Sequence, residues 1–283
     1  MAFTEESTSR YIQLDDMRLH YHDAGEGEAI IMLHGGGPGA SGWGNYKANI
    51  GPLAEKGYRV IAPDLPGFNK SDPIVTAEPR RVVAARAVKQ LMDALGIEKA
   101  HLVGNSLGGQ IAVGFTLDYP ERVDKLIIMG SSSFAGKSMF TPLPSEGGKS
   151  LFRLYRNPTM ENLKFSLELF VYDQSLITEE LIQERWEAIN YLDGIHLKNF
   201  LKSEELAKNG GMFEDISHRV KEIKNPTLLI WGRDDRFAPL DIGVKLLWEF
   251  PNARLHVFSG CGHWAQFEKK DEFNRLVLDF VSH

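Results

Sequence analysis

Apolar residues along the chain fall into two alternating patterns. Residues 29–33 are a continuous apolar run of strand length, and 58–62, 101–103, 123–129, 227–231 and 254–258 read as further strands. Runs without polar alternation are the mark of strands covered on both faces in a parallel sheet. Between them lie stretches with helical spacing at 45–55, 78–95, 109–118, 240–249 and 271–281; in the second, Val82, Ala85, Val88, Leu91, Met92 and Leu95 form one apolar stripe. Gly57, Gly96 and Pro120 punctuate these helices, and two short strands at 11–14 and 18–21 around Asp15-Asp16 read as an antiparallel edge. Strict strand–helix alternation predicts an α/β fold, a mostly parallel sheet with helices on both faces.

The alternation lapses from 138 to 211. This stretch holds Pro142, Pro144, Gly147 and Gly148 and helical segments near 150–155, 161–172 and 178–191, with no buried strand pattern. It predicts a helical cap inserted over the strand ends, dividing the core into 1–137 and 212–283.

Composition narrows the function classes. The 283 residues are 43% hydrophobic and 25% charged, ordinary for a folded enzyme. A net charge of -6 without a long basic run argues against nucleic acid as a partner. Cys261 is the single cysteine, so no intrachain disulfide forms, and no Cys/His cluster has zinc-ligand spacing. The stretch Met1 to Arg10 is polar, and no apolar run approaches the roughly 18 residues a membrane span needs. The expectation is a cytoplasmic protein, neither exported nor anchored.

The chemistry gathers at Gly104-Asn105-Ser106-Leu107-Gly108, which joins the strand at 101–103 to the helix at 109–118. Glycines two residues either side of a serine let a strand turn sharply into a helix and present the hydroxyl at the turn, near free helix N–H groups that favour negative charge. A serine needs a base to take its proton and a third group to orient that base. Two acids compete after the strand at 227–231. Asp235 has the G-x-x-D-x-x-x-P spacing between Gly232 and Pro239 that suits the orienting acid, whereas Asp234 reads as a loop residue. Among nine histidines, His263 alone follows the last strand in a glycine-bearing loop, Ser259-Gly260-Cys261-Gly262-His263-Trp264. The order Ser106, Asp235, His263 is that of an α/β-hydrolase. The run His34-Gly35-Gly36-Gly37-Pro38-Gly39 follows a buried strand, and its glycines, Gly35 and Gly37 included, let backbone N–H groups approach a ligand. His34 is expected to brace that loop, and Cys261 to pack. In the helix around Glu179 to Asn190, Arg185 shares the face of Leu181, Ile182, Trp186 and Ile189, and a guanidinium on a buried face calls for an anion.

Together the His34–Gly39 run, the Gly-Asn-Ser-Leu-Gly-Gly elbow, Gly232 to Phe237 and Gly262-His263-Trp264 resemble the meta-cleavage product hydrolases of the α/β-hydrolase superfamily. These bacterial enzymes hydrolyse a carbon–carbon bond in 2-hydroxy-6-oxohexa-2,4-dienoates made by ring-opening dioxygenases. The resemblance covers nearly the whole chain, cap included, and is strongest to the branch acting on 6-aryl substrates of biphenyl- or dibenzofuran-type pathways. It implies oxyanion-hole N–H groups from Gly36 and Leu107, dienoate contacts from Asn45, Asn105, Arg185 and Trp264, a homo-oligomer, and no metal or organic cofactor. The chain departs from the family pattern at Leu107, where Met is usual, and at Ser131-Ser132-Ser133-Phe134, in place of a more glycine-rich turn. Phe134, Met139, Leu151, Phe170 and Trp264 are candidates to line an apolar pocket for the C6 substituent.

Three other functions compete on sequence grounds. A carboxylesterase has the same triad but no use for a carboxylate clamp of Asn45, Asn105 and Arg185. A small-molecule receptor on a hydrolase scaffold would turn over slowly and bind a protein partner. A dehalogenase is disfavoured because its nucleophile would be an aspartate at position 106.

Overall fold

The computed structural model describes residues 3–132, 134–208 and 214–283. Ser133 and the expected junction between cap and second core segment at 211–212 lie outside the described residues. The short helix α1 (Glu5–Thr8) leads into β1 (Ser9–Gln13) and β2 (Arg18–Ala24), then β3 (Glu28–Leu33), α2 (Gly42–Ala54), β4 (Tyr58–Pro63), α3 (Arg80–Ala94), β5 (Ala100–Asn105), α4 (Leu107–Asp118) and β6 (Val123–Met129). Four helices follow in the stretch expected to form the cap: α5 (Glu146–Arg156), α6 (Met160–Phe170), α7 (Glu179–Asn190) and α8 (Ile195–Ala207). The core resumes with β7 (Thr227–Gly232), α9 (Leu240–Glu249), β8 (Ala253–Phe258), α10 (Ala265–Glu268) and α11 (Lys270–Ser282).

The eight strands form one sheet in the order β1-β2-β4-β3-β5-β6-β7-β8. Only the β1–β2 and β2–β4 pairs are antiparallel; the others run parallel. The continuous apolar runs are the central strands: every residue of β5 and β7 is buried. Two apolar clusters cover the two faces, one containing Ile31, Leu102, Phe115 and Trp231, the other Met32, Val103, Ile230 and Phe273.

From β3 the chain goes to β4 on one side, and later to β5 on the other. That reversal opens a crevice at the carboxyl ends of β3 and β5, where ligands of open parallel sheets bind. The Gly35–Gly37 loop leaves β3 there, and Ser106 leaves β5.

The cap contains one helix more than its sequence pattern predicts, α8. Its apolar Leu197, Phe200 and Leu201 do have i, i+3, i+4 spacing, and Phe200 is buried against Tyr155. Side-chain hydroxyls of Ser145, Thr159 and Thr178 cap α5, α6 and α7, each accepting an N–H three residues on. Among the described residues no helix is long and apolar enough to cross a membrane.

Candidate active site

Ser106 has φ 53° and ψ −114°, a conformation costly for a side chain larger than glycine. Close packing behind it enforces that turn. A Cβ on Gly104 would stand 2.3 Å from the Gly108 carbonyl oxygen, and one on Gly108 would stand 2.0 Å from that of Leu33. The serine turn at 131–132 supports the elbow from beneath: Ser131 Oγ donates to the Ser106 carbonyl at 2.6 Å, while Ser106 N donates to Met129 O at 2.9 Å.

Asp235 and His263 arrive from the ends of β7 and β8. His263 Nδ1 lies 2.8 Å from Asp235 Oδ2, and both residues are buried. Asp235 Oδ1 accepts the N–H groups of Phe237 and Ala238 at 2.7 and 2.9 Å. A carboxylate held this way accepts only, so Nδ1 is the donor of the pair and the Asp235 side chain fixes the orientation of the ring. His263 and Ser106 line one cavity of about 520 Å³, together with Gly36, Gly37 and Leu107.

The glycine loop lies against the elbow as its spacing requires. The Cβ position of Gly35 is 3.0 Å from Asn105 Oδ1 and 3.4 Å from Ser106 Cβ, and that of Gly36 is 3.2 Å from the Leu107 side chain. Leu107 opens α4, where backbone N–H groups lack helical partners. His34 is fully buried, accepts Leu65 N–H at Nε2 (2.9 Å) and therefore donates from Nδ1 to Gly35 O (2.7 Å). Burial holds it neutral, with a pKa lowered to about 4.

The remaining expected contacts divide between two places. Asn105 Nδ2 donates to Met129 O at 3.4 Å, while its Oδ1 is buried with no hydrogen-bond partner among the described residues, and Asn45 Nδ2 is buried beside Tyr46. Arg185 and Trp264 line a neighbouring cavity of about 280 Å³ with Ser41 and Gly44. The guanidinium carbon sits 5.7 Å from the Trp264 ring, and Nη1 is 3.8 Å from the Cβ position of Gly44, next to Asn45. Desolvation lowers the Arg185 pKa to about 10, leaving it cationic at neutral pH.

Phe170 is sandwiched between Phe237 and Trp264, with ring centroids at 4.0 and 4.4 Å and planes within 8°. Its carbonyl accepts His263 N–H at 2.7 Å and Trp264 N–H at 3.3 Å. Of this stack, Phe237 lines the Ser106 cavity. Two pocket candidates are placed elsewhere: Phe134 is wholly inside the core, and Met139 is 64% exposed. Leu151 does line the cavity.

The alpha/beta hydrolase fold family model matches residues 28–270. The chain is 58% identical to the 2-hydroxy-6-oxo-6-phenylhexa-2,4-dienoate hydrolase of Comamonas testosteroni, over 98% of both chains. It is 55% identical to a 2-hydroxy-6-oxononadienedioate/2-hydroxy-6-oxononatrienedioate hydrolase of the same species, over 99% of this chain and 98% of the other. The solved meta-cleavage product hydrolase of Pseudomonas fluorescens IP01 superposes with a TM-score of 0.84 at 34% identity, covering 98% of this chain and 99% of that one. The chain belongs to the meta-cleavage product hydrolases.

In this hydrolase part of the cavity wall comes from residues that no motif singles out: Phe68, Arg80, Tyr155 and Phe200. They come from four separated stretches and meet only in the fold. Arg80 carried no separate signal, because Arg81 beside it fits the apolar stripe of α3 as well and both are buried. Burial pushes the Tyr155 phenol up to about 12, so it stays protonated.

Proposed function

We propose that this chain hydrolyses the C5–C6 bond of 2-hydroxy-6-oxo-6-aryl-hexa-2,4-dienoates, giving 2-hydroxypenta-2,4-dienoate and an aromatic acid. The observation that carries the reading is the His263–Asp235 hydrogen bond at 2.8 Å, with His263 and Ser106 on the wall of one cavity. The dienol first becomes its keto form by proton transfer to C5, which lets C5 leave with an electron pair that the C2 carbonyl receives. His263 shuttles that proton. Ser106 Oγ then attacks the C6 carbonyl and gives its proton to His263 Nε2, Asp235 stabilising the imidazolium. The N–H groups of Gly36 and Leu107 receive the oxyanion. Collapse breaks C5–C6, and the departing dienolate takes the imidazolium proton as 2-hydroxypenta-2,4-dienoate. Water deprotonated by His263 releases the acid from Ser106. Asn45, Asn105, Arg185 and Trp264 hold the dienoate, Gly35 and Gly37 shape the loop beside it, and Phe170 positions Trp264.

Mixing the protein with the 6-phenyl substrate and following loss of the yellow dienolate absorbance tests this. Decay to benzoate with wild type and none with Ser106→Ala supports it; no decay alongside brisk hydrolysis of a simple aryl ester replaces it with the esterase. The same reading carries a cytoplasmic homo-oligomer free of metal or organic cofactor and of nucleic-acid partners, with light scattering as the check on assembly.

A further inference from the structure

Two consecutive arginines begin α3 and have opposite surroundings. Arg81 pairs with Glu214 at 2.6 Å and Asp118 at 3.3 Å. Arg80 turns inward: it is 5% exposed, its Nε is buried without a partner, and its guanidinium makes no hydrogen bond or ion pair among the described residues. Its neighbours are rings, Phe200 at 4.8 Å and Phe68 at 5.6 Å from the guanidinium carbon.

A desolvated guanidinium is costly unless an acceptor meets it, and ring faces offset only part of that cost. The first turn of a helix adds to it, because the helix dipole places positive charge there. The neighbouring acidic group, the Tyr155 hydroxyl, stays neutral and is no counter-ion. Arg80 lines the Ser106 cavity, and among its lining residues it is the one permanently charged side chain. Arg185, the expected partner of the dienoate carboxylate, lines the neighbouring cavity instead. The two neighbouring cavities thus hold one arginine each.

We propose that Arg80 is a specificity-determining residue that binds an anionic group carried by the C6 substituent, so that the cavity takes diacids, dienoates whose C6 chain ends in a second carboxylate, as well as 6-aryl substrates. This rests on the hydrolase reading above and extends it from the reacting carbons to the far end of the substrate. Phe68 and Phe200 lie near the guanidinium but supply no acceptor, and a carboxylate suits its planar, bidentate donor set.

The experiment compares kcat/KM for 2-hydroxy-6-oxononadienedioate and for the 6-phenyl dienoate in wild type, Arg80→Met and Arg80→Lys. Loss of one charge-assisted contact predicts that the diacid-to-phenyl ratio falls about 10- to 100-fold in Arg80→Met, mostly through KM, with partial recovery in Arg80→Lys. An unchanged ratio, or wild type that hydrolyses the 6-phenyl dienoate but rejects the diacid, overturns the proposal. Calorimetric titration of Ser106→Ala with succinate gives a readout that needs no turnover and a separate check on folded protein. Succinate binding that Arg80→Met abolishes supports the site even if neither dienoate is hydrolysed, an outcome that would sink the hydrolase reading alone. Absence of binding to Ser106→Ala, with 6-phenyl turnover intact in wild type, overturns the Arg80 site and leaves that reading standing.

Discussion

Asp234 and Asp235, adjacent in the chain, hold the same loop by different parts. Asp235 takes the His263 imidazole, whereas Asp234 Oδ2 accepts the backbone N–H groups of Gly260 and Cys261 at 3.0 and 3.4 Å. One orients the side chain, the other the main chain that carries it. Asp235→Asn is therefore expected to lower kcat by about 10³- to 10⁴-fold, since the amide favours the wrong imidazole tautomer. Asp234→Asn is expected to lower the thermal midpoint and to cost far less in kcat. Comparable kcat losses in the two variants would contradict this division.

Arg185→Met removes the charge expected to meet the dienoate carboxylate. Hydrogen bonds to charged groups imply a fall of about 10- to 100-fold in kcat/KM for the dienoate relative to a neutral aryl ester. Equal falls for both substrates would point to a damaged fold rather than a lost clamp.

The elbow tolerates no Cβ at Gly108, because the nearest atom is a backbone oxygen that cannot swing away. Gly108→Ala is expected to cost at least about 3 kcal/mol of stability, read from the denaturant midpoint. A midpoint within error of wild type would mean that the β3–α4 contact is looser than described.

His34 gives the fold a pH dependence of definite sign. Its pKa is lowered from 6.5 to about 4 by burial, so the unfolded chain binds a proton that the folded chain refuses. The associated stability is complete above about pH 6.5 and is lost as pH falls towards 4, on the order of 3 kcal/mol. Thermal midpoints from pH 7 to 4 should fall more steeply in wild type than in His34→Gln. Parallel curves would remove His34 as the cause.

How much of this was legible before folding depends on whether the signal is local. The central strands and the elbow are local patterns and sit where their spacing places them; the spacing also separates Asp235 from Asp234, and Asp235 is the one within 2.8 Å of His263. His34 likewise braces the glycine loop as its position suggests. The pocket is different, because Phe68, Tyr155 and Phe200 have in common only the point where they meet. Phe134 and Met139 were plausible by residue type, yet one is absorbed by the core and the other turned to solvent. Helix α8 carried its stripe, but in a stretch so rich in charge that the short pattern did not stand out.

The ring stack of Phe237, Phe170 and Trp264 joins the foot of α6 to the loops that bear Asp235 and His263. Glu268 reinforces the joint by accepting N–H groups from Gly262 and Tyr172 at 2.6 and 2.7 Å. The start of α5 is tied to the Asp235 loop as well, Ser145 Oγ donating to Phe237 O at 2.8 Å and Gly147 N to Arg236 O at 3.0 Å, while α5 and α8 contribute Leu151, Phe152, Tyr155 and Phe200 to the cavity. The helices over the cavity are thus pinned at their feet to the Asp235 and His263 loops, and the four side chains further along α5 and α8 can change the cavity's shape without touching that joint.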